Sequence, residues 1–259
     1  MPTKKTWAAI ALVLAATPAA GQSRGNADPI VVPLRVHAGQ FLVPVRAPDG
    51  TEFEFLLSTG NTTTVLSRSA AARLGGQTAL MMGTVSVPME GKATISDAEL
   101  TVEGEVNDGI IGSNTLNRYD VLIDAPGGRL VLKPVGRSVS WEGMTLSEPV
   151  KLRVFHGLVL GLDVALEGVT FGAMLDVGTR TLVINQAGAT KAKVAAEDAV
   201  TLRVGNTTLS GLPVRVIDLP LFHQADPDGA GFVLVGAPLA RDCAISLSWL
   251  HQEMRTCVR

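Results

Sequence analysis

Two residues of this chain stand at matched places where a side chain is offered from a tight turn, and only one of them is an acid. Residues 53–67 read FEFLLSTGNTTTVLS and residues 171–185 read FGAMLDVGTRTLVIN. Offset by 118 positions, Phe53 falls on Phe171, Gly60 on Gly178, Thr63 on Thr181 and Val65 on Val183. In each copy an apolar strand runs into a polar residue, a Gly follows after one step, and a second apolar strand begins beyond a small polar turn. The presented residues are Ser58 and Asp176. A carboxylate can take a proton from water or, when protonated, polarise a carbonyl, and two close carboxyl groups share one proton because both cannot ionise together. An alcohol does neither near neutral pH.

The repeat has a second part. DGIIGSNTLNRYDVLID (108–124) follows the first copy and GFVLVGAPLARDCAISLS (231–248) follows the second. Two apolar residues precede a Gly in both, Ile110-Ile111-Gly112 and Leu234-Val235-Gly236, with another apolar strand behind. Gly at such a place lets one strand backbone pass close to another.

With both parts in view, the chain from about Ile30 to its C-terminus resembles the two-lobed aspartic proteases of the pepsin and retropepsin type. The resemblance implies an all-β fold of two similar barrel-like lobes with short helices and a central cleft. In that family each lobe contributes an Asp-Thr/Ser-Gly turn and an apolar-apolar-Gly element that crosses beneath it. Carried over, Asp176 is the candidate catalytic residue and Ser58 marks the position of a lost Asp. Thr59, Gly60, Gly178, Thr179, Gly112 and Gly236 are the binding positions around them. Thr59 keeps the hydroxyl that helps lock the two turns together, whereas Val177 removes it from the second turn. The implied function is an exported aspartic-protease-like protein with an incomplete dyad, binding an extended peptide or a protein partner in its cleft. The alternative is an active endopeptidase that uses Asp176 with a non-standard second acid, and a purely structural Asp176, capping turn amides, also stays open.

Other chemistries find less support in the residues. Ser58 is not in a Gly-x-Ser-x-Gly setting, and His37, His156, His223 and His251 are scattered without ligand spacing, so neither a serine hydrolase nor a metal site is expected. No cofactor motif occurs; a phosphate-binding loop needs more glycine spacing than Gly229 and Gly231 provide. Asp108, Asp124 and Asp242 are expected to be structural. The 22 basic and 24 acidic side chains give a formal net charge of −2, and nothing in that balance attracts nucleic acid.

The elements that must position the turns follow from pattern. Aromatics make up 4% of the chain, so the core has to come from aliphatic, β-branched strands. Residues 1–21 have two lysines, an apolar run from Trp7 to Ala16 and then small residues, the layout of a secretory signal peptide. That run is too short to cross about 30 Å of hydrocarbon. A periplasmic or secreted monomer without a stable membrane anchor is expected, with a flexible lead-in at 22–29, an N-terminal lobe at 30–135, a linker at 136–149 and a C-terminal lobe at 150–259. Helices are expected from Ser67 to Leu74 and from Asn185 to Val194, capped by Ser67 and Asn185. Strands at 84–88 and 92–102, joined at Met89-Glu90-Gly91, make either a flap over the cleft or an ordinary surface hairpin. Strands are also expected at 207–209 and 213–218, and a polar loop at 223–231. Cys243 and Cys257 lie in the last strand pair; folding back near Leu250 brings them together as a disulfide, with two buried free thiols as the competing state.

Overall fold

A computed structural model describes residues 28–89, 93–135, 141, 143–155, 158–226 and 228–257. The expected signal peptide, most of the lead-in, the Glu90-Gly91 tip of the expected flap, His156 and part of the expected linker lie outside these residues.

β-structure dominates, in one half-barrel, one closed barrel and a sheet that both halves share. In the first half the strand order is Val85–Val87, Leu80–Met82, Gln40–Arg46, Glu52–Leu57, Gly109–Ile111, Val65–Ser67 and Thr94–Ile95, with Arg35–His37 added to Gln40–Arg46. In the second half the order is Arg153–Phe155, Val159–Leu166, Val169–Leu175, Phe232–Val235, Leu182–Ile184, Thr207–Val216 and Ala199–Val204. Pairing of Ala165 with Arg203 closes six of these strands into a barrel.

The 118-residue offset holds in topology as well as in sequence. Gly109–Ile111 runs parallel to Glu52–Leu57 and antiparallel to Val65–Ser67. Phe232–Val235 does the same with Val169–Leu175 and Leu182–Ile184. Each copy then enters a short helix, Arg68–Leu74 after the Ser67 cap and Gln186–Ala192 after the Asn185 cap; the cap side chains accept from Ala70 N and Gly188 N. The second helix stops two residues before Val194 because Lys193 turns left-handed, at φ 57°.

Alternation along the strands sorts side chains between two apolar clusters in each half. Phe41, Val43, Val45, Phe53, Phe55 and Leu57 point into the main core, while Leu42 and Leu56 join Leu100 and Ile110 on the opposite face. In the second half Leu160, Leu162, Val164, Phe171, Ala173 and Leu175 face the main core. Val159, Met174, Val183, Phe222, Phe232 and Leu234 form its counterpart on the other face. Burying a side chain such as Phe55 contributes about 1.5–3 kcal/mol.

The shared sheet orders Ile30–Pro33, Arg129–Pro134, Tyr119–Asp124, Ile245–Ser248, Glu253–Thr256 and Val150–Lys151, so its first three strands come from one half and its last three from the other. At its centre Asp120 stands opposite Ser248, whose hydroxyl donates to Asp120 Oδ1 at 2.6 Å. The expected linker is not loose where it is described: Trp141 is buried on this sheet, with its indole N–H on Ser246 Oγ at 2.9 Å, and Leu146 bridges to Cys257.

Several local expectations need correction. Val85–Val87 folds back on Leu80–Met82 instead of pairing with the segment beyond residue 92. That segment is broken into Thr94–Ile95, a 3₁₀ turn at Asp97–Leu100 and Thr101–Val102, because Ser96 and Glu99 form a capping box. The strands expected at 207–209 and 213–218 are one strand, Thr207–Val216, that carries Gly211 at φ 71° and passes a register shift opposite Val200/Leu202. The expected polar loop begins inside a helix, Pro220–Ala225, started by Pro at its first position.

Cys243 and Cys257 are joined as a disulfide at the open end of the last hairpin, with Cα atoms 5.6 Å apart. No helix among the described residues is long and apolar enough to cross a membrane.

Two stability predictions follow from the shared sheet. Replacing both cysteines by serine is expected to lower unfolding free energy by about 3 kcal/mol, the chain-entropy value for a loop of about this length, measured by urea denaturation. Burial pushes the Asp120 carboxyl above its ordinary value of 3.8, and Glu253 adds to this. The Ser248 hydrogen bond, His251 and Lys133 oppose it in part. A raised carboxyl favours the folded state below the unfolded value, and that contribution is lost as pH rises through the folded value. Asp120→Asn should therefore gain stability relative to the parent between about pH 3 and about pH 7, as read from urea midpoints; a constant difference across that range would refute the assignment.

Candidate functional site

The two turns meet tip to tip between the halves, and each is set by its own crossing strand. Ser58 N donates to Ile111 O at 3.0 Å, and Asp176 N donates to Val235 O at 2.9 Å. Three residues later the match repeats: Ser113 N reaches Asn61 O and Ala237 N reaches Thr179 O, both at 2.7 Å. The crossing is so close that a side chain on either glycine would collide. A β-carbon on Gly112 would stand 2.5 Å from Thr63 O, and one on Gly236 would stand 2.6 Å from Thr181 O. Both glycines are buried beneath the turns, where they permit the approach and do not face the opening.

One hydroxyl clasps the turns together. Thr59 Oγ1 donates to Leu175 O at 2.8 Å and accepts from Val177 N at 3.2 Å, while Thr59 itself is fully buried. A second such clasp would have come from position 177, where Val supplies only methyl groups. Ser113 adds support from below, its hydroxyl donating to Thr59 O at 2.8 Å.

At the tips, Ser58 Oγ donates to Asp176 Oδ1 at 2.8 Å. The direction of that bond is fixed by Asn61, whose backbone N–H and side-chain amide both donate to Ser58 Oγ, at 3.1 and 2.9 Å. A hydroxyl has two acceptor lone pairs and one proton. Both lone pairs are taken, so the proton goes to Asp176, and Ser58, fully buried, has no lone pair left with which to attack a substrate.

Asp176 is surrounded by donors. Its Oδ1 also accepts from Gly60 N at 3.1 Å and Gly178 N at 2.9 Å, and its Oδ2 accepts from Thr179 Oγ1 at 3.2 Å. Gly60 is required here as well, since a β-carbon would lie 2.6 Å from Asp176 Cγ. Among the described residues no carboxyl group and no cation is bonded to Asp176. Asp108 and Asp124 are occupied elsewhere: Asp108 holds Arg73 at 2.6 Å and Glu54 N at 2.9 Å, and Asp124 holds Arg129 and Gly127 N. Asp242 pairs with Arg241.

Of the residues expected from sequence, Ser58, Thr59, Gly60, Asp176, Gly178 and Thr179 come together in one constellation. Sequence reasoning missed Asn61, although the 118-residue offset sets it on Thr179 and both donate to the residue three positions before them. It also missed a cavity of about 380 Å³ beside the turns, lined by Gly60, Thr62, Phe155, Met174, Leu221 and Phe232 among others. No protein-family model matches the chain, and no curated protein matches it.

The clasp can be weighed by substitution. Thr59→Val leaves the buried Leu175 O and Val177 N without partners, at a cost of about 1–3 kcal/mol in urea denaturation. Thr62→Val, on the cavity side of the same turn, should stay within about 0.5 kcal/mol of the parent.

Proposed function

We propose that this chain is an exported peptide-binding protein of the acid-protease type whose catalytic dyad is incomplete. The observation that carries this is the bond from Ser58 Oγ to Asp176 Oδ1: two matched turns face each other as a dyad requires, yet one presents an alcohol. Hydrolysis by that chemistry needs a water held between two carboxyl groups with one proton between them. Here the Ser58 hydroxyl directs its proton onto Asp176, and among the described residues no second carboxyl group is bonded there. Losing general acid–base help alone costs about 10²- to 10⁴-fold in rate.

Binding requires less than catalysis. The adjoining cavity and the strand-built walls on either side of the turns suit an extended chain that is recognised through backbone bonds and one or two apolar side chains. The disulfide at the last hairpin supports an extracellular or periplasmic setting, where such a bond persists.

The test is hydrolysis of denatured protein and of a peptide library by the purified chain over acid to neutral pH, beside an Asp176→Asn control. No Asp176-dependent cleavage is expected. Cleavage that disappears in the control would reverse the conclusion in favour of an active endopeptidase. Ser58→Asp should introduce weak, acid-favoured cleavage, because Asn61 already aims two donors at that position.

A further inference from the structure

The halves are joined along one line of the shared sheet, where Tyr119–Asp124 of the first pairs with Ile245–Ser248 of the second. Three of the four pairs across this seam, Val121 with Leu247, Leu122 with Ser246 and Ile123 with Ile245, contain no titratable side chain. The fourth sets Asp120 opposite Ser248. Asp120 is only 3% exposed, and among the described residues its carboxyl is hydrogen-bonded to the Ser248 hydroxyl alone. Asp108, Asp124 and Asp176 each have two or more donors, so the acid at the seam is the poorly supplied one.

The pair belongs to a row that crosses five strands: Lys133, Asp120, Ser248, Glu253 and Lys151 stand side by side in that order. His251, in the turn of the last hairpin, donates its backbone N–H to Ser248 Oγ at 3.2 Å, and Lys133 Nζ lies 4.3 Å from the centre of the Trp141 ring. On the strand of Asp120 itself, the next acid on this face is Asp124, held by Arg129. Ser248 thus stands between two acids with one proton to give, and gives it to Asp120. An ionised Asp120 keeps a buried charge on that one bond; a neutral Asp120 brings a proton of its own, which its O–H can donate to Ser248 Oγ. Burial accordingly raises the carboxyl above its ordinary value, with Ser248, His251 and Lys133 opposing the rise and Glu253 adding to it.

We propose that Asp120 and Ser248 form a proton-controlled catch between the two halves, closed while Asp120 is neutral and opening locally more often once it is ionised. A carboxyl raised in the closed seam favours closure below its open-state value, and that contribution is lost as pH rises through the closed-state value. The apolar pairs beside the catch keep the halves attached, since Val121, Ile123, Ile245 and Leu247 are fully buried. The halves also meet at the turn tips through Thr59, so a loosened seam leaves that clasp to hold them in register. The space between the halves is therefore held more firmly in acid than at neutral pH. This goes beyond the peptide-binding reading and is independent of what the cleft binds.

Amide hydrogen exchange of the purified full chain from acid to neutral pH, expressed as protection factors, tests the catch. Emission of Trp141 and Trp249, which adjoin the second-half strand of the seam, is a second readout. Protection of segments 119–124 and 245–248 should fall at least about tenfold toward neutral pH, and further than that of segment 159–175 in the second barrel. Asp120→Asn should keep the acid-side protection throughout. Glu253→Gln, which removes the neighbouring anion, should move the midpoint to lower pH, and Ser248→Ala, which removes the hydroxyl donor, should move it to higher pH. These two carry the test if Asp120→Asn does not fold. Seam protection that is constant with pH, or that falls no further than in segment 159–175, overturns the catch. So does a folded Asp120→Asn that keeps the parent's profile, or a midpoint that fails to move as stated in either of the other variants.

Discussion

The hydroxyl of Thr59 is the contact on which the site depends. It spans from one turn to the other, donating to Leu175 O and accepting from Val177 N, in a fully buried place. Buried backbone groups need partners, and these two have theirs only if the halves of the chain are in register. Everything at the tips follows from that clasp: Ser58 within hydrogen-bond distance of Asp176, Gly60 and Gly178 close enough to donate to the same oxygen, and a cavity left open where the turns part. That Val occupies the reciprocal position shows that one clasp holds the turns where two would be possible, with the crossing strands and Ser113 supplying the remainder.

Around the clasp, polar groups are placed according to how many donors the backbone can offer. Asp176 receives two backbone amides and two hydroxyls. Asp108, Asp124 and Asp120 receive arginines, turn amides or a serine. The first of these takes its donors from the two facing turns, whereas Asp108 and Asp124 hold arginines and Asp120 sits at the centre of the shared sheet.

Much of this was legible in the chain itself. The offset that sets Phe53 on Phe171 and Gly60 on Gly178 located both turns, both crossing glycines and both capped helices, because a duplicated unit must satisfy the same sterics twice. The disulfide was legible because the chain has two cysteines and they flank the last hairpin. What was not legible depended on non-local partners. Nothing in residues 84–102 shows that Val85–Val87 prefers Leu80–Met82, and the capping box at Ser96 was overlooked within a strand-like run. Helix Pro220–Ala225 is held by Phe222 against Phe232 and Val183, contacts that no local period displays. Asn61 could have been found by taking the offset three residues further.

The shared sheet ties the order of assembly to the order of synthesis. Tyr119–Asp124 has Arg129–Pro134 on one side almost as soon as it is made, but its other neighbour, Ile245–Ser248, belongs to the final hairpin. Until that hairpin emerges, the first half carries an unpaired strand edge with Asp120 lacking its serine. A chain lacking that hairpin would thus carry an adhesive flank, and a segment made more than a hundred residues after the strand it covers is the one that seals it.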